Sequence, residues 1–402
     1  MIPVAEARDR ILAGARPLPA EILPVTEVVG RVLARPATAR RTQPWADLSA
    51  MDGYAVRVAD VPAVPTTLRL AGEVKAGGPA GAPLAAGTCQ RIFTGAPVPP
   101  GADAIVIQED TERTDDGVVI TELPRVGRHI RKAGNDFVAG AALLPAGHLL
   151  RARDVGLLAA MNLPWLAVHR RPRVAILSTG DEIVLPGEPI GENQLVSANG
   201  PALSAFVRVA GGDPLQLGIA GDSADELDAF VDGALGTDLL ITTGGASVGA
   251  HDLVREVLLS KGMVLDFWRI AMRPGKPLMF GQLRGIPVLG LPGNPVSAQV
   301  CAMLFALPLL RVMQGLPPDL PMVTARLDAD MPENDRREDY VRATLRHDAG
   351  DAVATPLASQ DSAQLSAFSH ADCLIVRPPF DGARKAGAIV PILRFDSGLL
   401  SL

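Results

Sequence analysis

The sequence predicts a multidomain protein of α/β plus β class. A central α/β domain on a parallel or mixed sheet is flanked by a β-rich N-terminal region and a second β module at the C terminus, with a connecting helical segment. Three observations predict it. At 402 residues the chain exceeds what one hydrophobic core organises. In its middle, short apolar runs end in Gly-rich turns and lead into helical patterns, the signature of strands in a parallel sheet. On both flanks, Gly and Pro cluster between short β-like runs, which accounts for much of the 40 Gly and 35 Pro.

In chain order, residues 3–15 read as an opening helix. Between about 45 and 136, the runs 67–70, 104–108 and 117–121 read as strands of a small all-β domain. Residues 141–166 read as helical and connecting. The central strands are 173–178, 238–243 and 286–291, with 218–221 closing a fourth. Residues 199–210, 223–235 and 252–260 carry apolar residues at helical spacing, the first starting at an Asn cap. Asn294 as N-cap and Pro295 at the first helical position open a helix to about residue 314, apolar on most faces and therefore buried. The runs 323–327, 340–345, 373–377 and 388–393 form the second β module.

Composition excludes several classes. An apolar share of 48% excludes intrinsic disorder. The longest apolar run, 300–310, is too short to span a bilayer and contains Pro308, so no membrane is expected. The N terminus lacks a basic-then-apolar signal pattern. Cys89, Cys301 and Cys373 stand far apart and make neither a disulfide framework nor a zinc site. A net charge of −6 without a basic stripe excludes a nucleic-acid partner. The expectation is a soluble, cytoplasmic protein. Its basic residues are almost all Arg; the lysines are Lys75, Lys132, Lys261, Lys276 and Lys385, so a Lys in a Gly-rich loop stands out.

The turns after the strands carry the chemistry. Ligands of an open α/β sheet sit beyond the carboxyl ends of its strands, where free N–H groups at helix starts favour anions. Thr179-Gly180-Asp181-Glu182, Thr242-Thr243-Gly244-Gly245-Ala246-Ser247 and Pro292-Gly293-Asn294-Pro295 are such turns. One Gly-Gly pair alone merely closes a turn; three turns on one edge make an anion site. Asp181, Glu182, Asp222 and Asp252 fall on the same rim. Capping explains Asp222 or Asp252 taken singly. Four carboxylates beside anion-accepting turns call for a cation such as Mg²⁺, which takes oxygen ligands and bridges to phosphate. Arg273-Pro274-Gly275-Lys276-Pro277 places a Lys in a rigid loop between two strands, as a point charge for an oxyanion. Loops holding Asp52 and Tyr54, Thr94 to Asp103, and Arg131 to Asp136 are, on spacing alone, ordinary turns. His251, near the rim, is more often a structural than a catalytic residue type in such isolation.

Together these stretches resemble the MoeA family of molybdopterin molybdotransferases, related to the gephyrin E domain. The resemblance rests on Ser49-Ala-Met-Asp-Gly-Tyr-Ala55, Phe93-Thr-Gly-Ala-Pro97, Gly101-Ala-Asp-Ala104, Ile130-Arg131 with Gly134-Asn-Asp136, and Ser178-Thr-Gly-Asp-Glu182. It continues through Thr243-Gly-Gly-Ala-Ser-Val-Gly249, Arg273-Pro-Gly-Lys-Pro277 and Leu291-Pro-Gly-Asn-Pro-Val-Ser297. The order is kept over nearly the whole chain. The resemblance implies an elongated homodimer of four-domain subunits. Residues 1–20 would pack on a molybdopterin-adenylyltransferase-like α/β domain, 167–316. Residues 21–44 with 138–166 would form a connecting domain, 45–137 a β-rich domain and 317–402 a β-barrel-like domain. The implied reaction takes adenylylated molybdopterin and molybdate, releases AMP and leaves molybdenum on the dithiolene, with Mg²⁺ assisting. The site would lie between the α/β domain of one subunit and the 45–137 domain of the other.

By position the resemblance implies catalytic roles for Asp52, Asp136, Glu182, Asp222, Asp252 and Lys276, with Glu182, Asp222 and Asp252 toward the metal. Thr94, Thr179, Gly180, Asp181, Thr243, Gly244, Gly245, Ser247, Arg273, Pro292, Asn294 and Pro295 would bind substrate, as would Arg342 and Ser362 in a C-terminal motif with Arg337. Three positions depart from the family pattern: Arg273 for a Lys, His129 for an Asn, and 194–199 for an aromatic-containing stretch. A scaffolding protein of the gephyrin type would have lost the rim carboxylates. A molybdopterin adenylyltransferase, itself a conceivable partner, would lack the Asp52 and Thr94 motifs and the long β flanks.

Overall fold

The computed structural model describes residues 1–244, 253–348 and 350–396. Its centre is a six-stranded sheet in the order Asp213–Ala220, Arg173–Thr179, Leu239–Thr243, Ile286–Leu291, Met279–Leu283, Val264–Phe267. The first four strands run parallel, Met279–Leu283 runs antiparallel to them, and Val264–Phe267 pairs antiparallel with Met279–Leu283. Near-continuous apolar strands are what a sheet covered on both faces requires. Val174 and Ile176 join one core with Leu203, Val207 and Phe305; Ala175 and Leu177 join a second with Leu227, Val231 and Val254. Helix Asn199–Val209 covers the first face, and Ala224–Gly233 with Leu253–Ser260 the second. The opening helix Val4–Ala13 adds Val4, Ala7 and Ile11, at i, i+3 and i+7, to the first core.

Pro295 begins a helix that continues to Met313. Its 19 residues, with mean hydropathy 1.8, are long and apolar enough to cross a membrane, which corrects the expectation drawn from the shorter run 300–310. Here 78% of it is buried inside the protein. Residues Ala302–Ala306 form a π turn just before Pro308. Proline lacks an N–H and its ring crowds the carbonyl four residues back, Leu304, so widening that turn keeps the helix running.

The C-terminal module closes on itself. Strand Glu338–Asp348 pairs with Asp351–Pro356 on one side and Cys373–Arg377 on the other, and Met322–Leu327 and Ile389–Arg394 complete a five-stranded barrel. A two-residue strand, Met272–Arg273, leaves the α/β domain and runs parallel to Glu338–Asp339 on the barrel's edge.

Residues 45–137 build a mixed six-stranded sheet, in the order Ala104–Ile107, Gly53–Val56, Thr88–Ile92, Thr66–Val74, Gly117–Ile120, Thr111–Thr114. Its two apolar clusters, around Tyr54, Leu68 and Ile120 and around Val74, Ile92 and Ile105, draw only on that stretch. The stretch is attached through a neck in which both chain crossings lie side by side: the Gln43 N–H donates to the Phe137 carbonyl at 2.8 Å and the Gly134 N–H to Pro44 at 2.9 Å. Below the neck, the 141–166 segment differs from the helical expectation. Only Ala152–Ala160 is helical, whereas Ala142–Leu144 pairs with Ala37–Thr38 and Trp165–His169 with Ala20–Pro24. These pairings and the helix share a core of Val28, Leu33, Leu158, Met161 and Val168.

Truncating Phe305, fully buried in the π turn, is expected to cost about 3–5 kcal/mol. Phe380→Ala, at a side chain 77% exposed, should cost under about 0.5 kcal/mol. Urea unfolding followed by circular dichroism measures both.

Candidate functional site

Strand register brings the predicted turns to one edge. Thr179 lies opposite Ala220, Ser178 opposite Thr243, and Thr243 opposite Leu291, so all four parallel strands end level. The turns approach one another closely enough to require glycine. A Cβ on Gly244, where φ is +94°, would lie 2.2 Å from the Thr179 carbonyl oxygen. Asn199 cross-links the same turns. It is the first residue of its helix, with Ala198 at the cap, rather than the cap itself. Its Nδ2 donates to Thr243 Oγ1 at 2.7 Å and to the Gly293 carbonyl at 2.8 Å, while Thr243 Oγ1 donates to the Pro292 carbonyl at 3.2 Å. Asn294 precedes the helix without capping it through its side chain; its Nδ2 reaches Ser362 Oγ at 2.7 Å.

Two clefts open along this edge. The larger, of about 650 Å³, lies between the α/β domain and the barrel, with Glu182, Gly244, Arg273, Lys276, Asn294 and Ser362 on its walls. The smaller, of about 480 Å³, is lined by Thr179, Asn199, Leu195, Val196 and Pro295 and shares Glu182 and Gly244 with the first. Leu195 and Val196 lie in the stretch that departs from the family pattern and form an aliphatic wall there. Thr179 Oγ1 and Asn199 Oδ1 are buried without a partner. Such atoms cost about 1–3 kcal/mol each unless a ligand satisfies them.

Charge is divided around the larger cleft, with Glu182 on its α/β wall and the other carboxylates of that turn behind it. On the α/β side, Asp181 Oδ1 accepts the Asp222 N–H at 2.9 Å, and Glu226 accepts the Gly221 N–H at 2.8 Å. Burial, then the charges of Asp181 and Glu182, push the Asp222 carboxyl above the ordinary carboxylate range. Among the described residues no three His, Cys, Asp or Glu side chains are grouped to hold a metal ion. Gly245, Ser247, His251 and Asp252 lie outside the described residues. On the barrel side, Lys276 is half-buried and its ammonium makes no hydrogen bond or ion pair with any described residue. Its loop is seated on the long helix: a Cβ on Gly275, where φ is +110°, would lie 2.4 Å from Cys301 Sγ. Arg273 is differently placed. Its Nη2 donates to Asp339 at 2.5 Å and to Asn334 Oδ1 at 3.2 Å, and Asp335 lies 3.7 Å from Nη1. Arg337 in turn holds Asp335 at 2.7 Å and keeps its carboxyl down at about 2. Arg342 is buried beneath the loop of Gln360 and Ser362, with Nη2 unpartnered.

The remaining predicted residues gather elsewhere. Asp52 Oδ1 accepts both the Thr94 N–H, at 2.7 Å, and the Thr94 hydroxyl, at 2.8 Å, and these bonds lower its carboxyl. Asp136 stands exposed at the neck of the same region. No described residue of 45–137 lines either cleft. His129 has φ +58°, the left-handed region that Asn and His tolerate, which accounts for a His at this Asn position. Sequence reasoning missed Asn199 as a cross-link, because a helix-start Asn reads as a cap. It also missed Asn334 and Asp339, which hold Arg273 from residues more than sixty positions away.

Family models match the chain end to end in the same order: the MoeA N-terminal region (domain I and II) at residues 2–162, a probable molybdopterin binding domain at 175–312, and the MoeA C-terminal region (domain IV) at 324–395. The chain is 38% identical over 343 residues to molybdopterin molybdenumtransferase 2 of Mycobacterium tuberculosis, covering 83% of this chain and 85% of that one. It is 33% identical over 402 residues to molybdopterin molybdenumtransferase of Haemophilus influenzae, covering 98% and 99%. Among solved structures, the molybdopterin biosynthesis MoeA protein from Pyrococcus horikosii superposes with a TM-score of 0.88 at 30% identity, covering 98% of this chain and 99% of that one.

Gly244→Ala is expected to lower the thermal midpoint more than Gly236→Ala. Both have positive φ, but a Cβ at Gly236 meets nothing within 4 Å. The second variant isolates backbone strain of about 1 kcal/mol, and the excess in the first measures the contact with Thr179.

Proposed function

The chain belongs to the MoeA family of molybdopterin molybdenumtransferases, transferases of molybdenum cofactor biosynthesis, and we propose that its own reaction takes adenylylated molybdopterin and molybdate and yields molybdenum-molybdopterin and AMP. The phosphoanhydride bond between the pterin phosphate and AMP breaks as a water oxygen adds to phosphorus, and two Mo–S bonds form on the dithiolene as two molybdate oxygens leave, protonated, as water. The observation that carries this reading is the cleft itself: half-buried Lys276, unpaired among the described residues, shares a space of about 650 Å³ with Glu182 of the rim. In this reading Lys276 holds the molybdate or phosphate oxyanion as a point charge. Arg273, tied to Asp339 and Asp335, sets the loop and adds a second cation. Ser362 faces the oxyanion from the barrel side, whereas Arg342 is buried behind the Gln360 loop and lines neither cleft. The Thr243-to-Ser247 turn takes the pterin or nucleotide phosphates, with Pro292 and Pro295 shaping the wall.

Mg²⁺ is part of the proposal. Burial first, and then the neighbouring charges of Asp181 and Glu182, raise the Asp222 carboxyl; a divalent cation would relieve the second of these, and Glu182 and Asp222, with Asp252, would hold it. When bound it supplies neutralisation of pyrophosphate charge. The homodimer is a proposal too. Asp52, Thr94 and Asp136 sit on a region that lines neither cleft, and a second subunit supplies them to the first subunit's edge in this reading. A cytoplasmic location is supported by three buried, unpaired cysteines and a buried long apolar helix.

The experiment mixes the protein with adenylylated molybdopterin, Mg²⁺ and molybdate or tungstate and measures AMP. Molybdate-dependent release is expected, reduced at least about a hundredfold in Asp222→Ala and Asp252→Ala. Lys276→Ala should raise the KM for molybdate. Release that ignores molybdate would overturn the reaction assigned. Mg²⁺ should raise the thermal midpoint of the parent and not of Asp222→Ala. A monomer by analytical ultracentrifugation would remove the shared site.

A further inference from the structure

The Asp52 turn is braced by a residue that no motif singled out. Strand Gly53–Val56 pairs antiparallel with Thr88–Ile92, and the register sets Tyr54 directly opposite Arg91. The Arg91 guanidinium carbon lies 5.1 Å from the centroid of the Tyr54 ring and 5.1 Å from that of Phe93, within cation–π range of both. Its Nη2 donates to Gln108 Oε1 at 2.7 Å. Each anchor is next to a group that holds Asp52. Tyr54 follows Asp52 by two residues, and Phe93 immediately precedes Thr94, whose N–H and hydroxyl both bind Asp52 Oδ1. The Gln108 N–H donates to the Asp52 carbonyl at 3.1 Å. Between Asp52 and Tyr54 the turn packs against the neighbouring strand so closely that only glycine fits, since a Cβ on Gly53 would fall 2.0 Å from the Val106 carbonyl oxygen. The result is a closed ring of contacts running from Asp52 through Thr94 and Phe93 to Arg91, and back through Tyr54.

We propose that Arg91 is a positioning residue for Asp52: it clamps the Asp52 turn to the Thr94 turn, so that the carboxylate oxygen left free, Oδ2, meets the ligand in one fixed orientation. The proposal rests on the reading of Asp52 as part of a shared molybdotransferase site. Lysine does not replace this clamp, because an ammonium lacks the planar fork that covers two rings while bonding Gln108. Fixing a reacting carboxylate to within a fraction of an ångström changes turnover more than ligand affinity.

Two measurements on the full-length protein test this. In the first, amide hydrogen exchange by NMR or mass spectrometry follows the Thr94 N–H, which Asp52 holds. Arg91→Ala and Arg91→Lys should each speed its exchange about tenfold, with amides in the central sheet unchanged. Parental exchange in Arg91→Ala overturns the clamp without reference to any substrate. In the second, kcat and KM for AMP release are compared. Arg91→Ala and Arg91→Lys should both lower kcat about tenfold, leaving KM for adenylylated molybdopterin within about twofold and the thermal midpoint near the parent's. Asp52→Ala is the reference variant. If Asp52→Ala is impaired while Arg91→Ala keeps parental kcat, the Arg91 role falls and the functional reading stands. If Asp52→Ala is itself parental, both fall. Full recovery in Arg91→Lys would show that charge alone matters and would overturn the positioning role.

Discussion

The cleft is held at its base by a two-residue ladder and a shared core. Met272 and Arg273 leave the α/β domain and pair with Glu338 and Asp339 on the barrel, while Tyr340, Leu374 and Leu393 of the barrel pack into the α/β core. Backbone pairing alone over two residues is weak. It is reinforced at each end. Met272 is fully buried in the α/β core, and Arg273 is fastened by Asp339, Asn334 and Asp335. Asp339 is buried and finds its cationic partner in Arg273, whose side chain itself stays 44% exposed. With the ladder in place, the next residues have little freedom. Gly275 lies against Cys301 on the long helix, and Lys276 is delivered into the cleft. The opposite wall is fixed by a separate set of contacts, from Asn199 to Thr243 and Gly293 and from Asn294 to Ser362.

This arrangement explains why Arg273 and Lys276 differ although three residues separate them. An arginine with three polar neighbours is engaged by the protein and contributes its charge at a distance. A lysine with none among the described residues presents an unengaged ammonium to whatever enters. The other four lysines, Lys75, Lys132, Lys261 and Lys385, are each held by a protein carboxylate, which leaves Lys276 as the one whose three rotatable donors are open to an anion among the described residues.

The parallel strands were legible in the sequence because both faces of each are buried, which leaves a near-continuous apolar run from Val174 to Leu177 and from Leu239 to Ile241. The turns after them were legible because glycine is required where backbones touch, as at Gly244 over Thr179. Partners far along the chain were not legible. Ala142–Leu144 and Trp165–His169 look like parts of a helical stretch until Ala37–Thr38 and Ala20–Pro24 are beside them. Asn199 carries the same local signal whether it caps a helix or spans two turns. Asp52 and Thr94 could each be picked out as turn residues, but nothing in either segment says that one carboxylate oxygen takes both donors of the other. Arg91 is harder still, since its meaning lies in two rings and an amide brought together by a register.

The neck at Gln43 and Phe137 has a consequence for how this chain could be assembled or dismantled. The β-rich region leaves and re-enters the body through crossings already joined by hydrogen bonds, and its apolar clusters take nothing from elsewhere. Cutting it out above Phe137, which belongs to the core below the neck, would leave two chain ends in contact, which a turn of a few residues could join, and the remainder would keep its own cores. The region is thus a cassette, suited to gain, loss or exchange between genes without disturbing the scaffold that carries it.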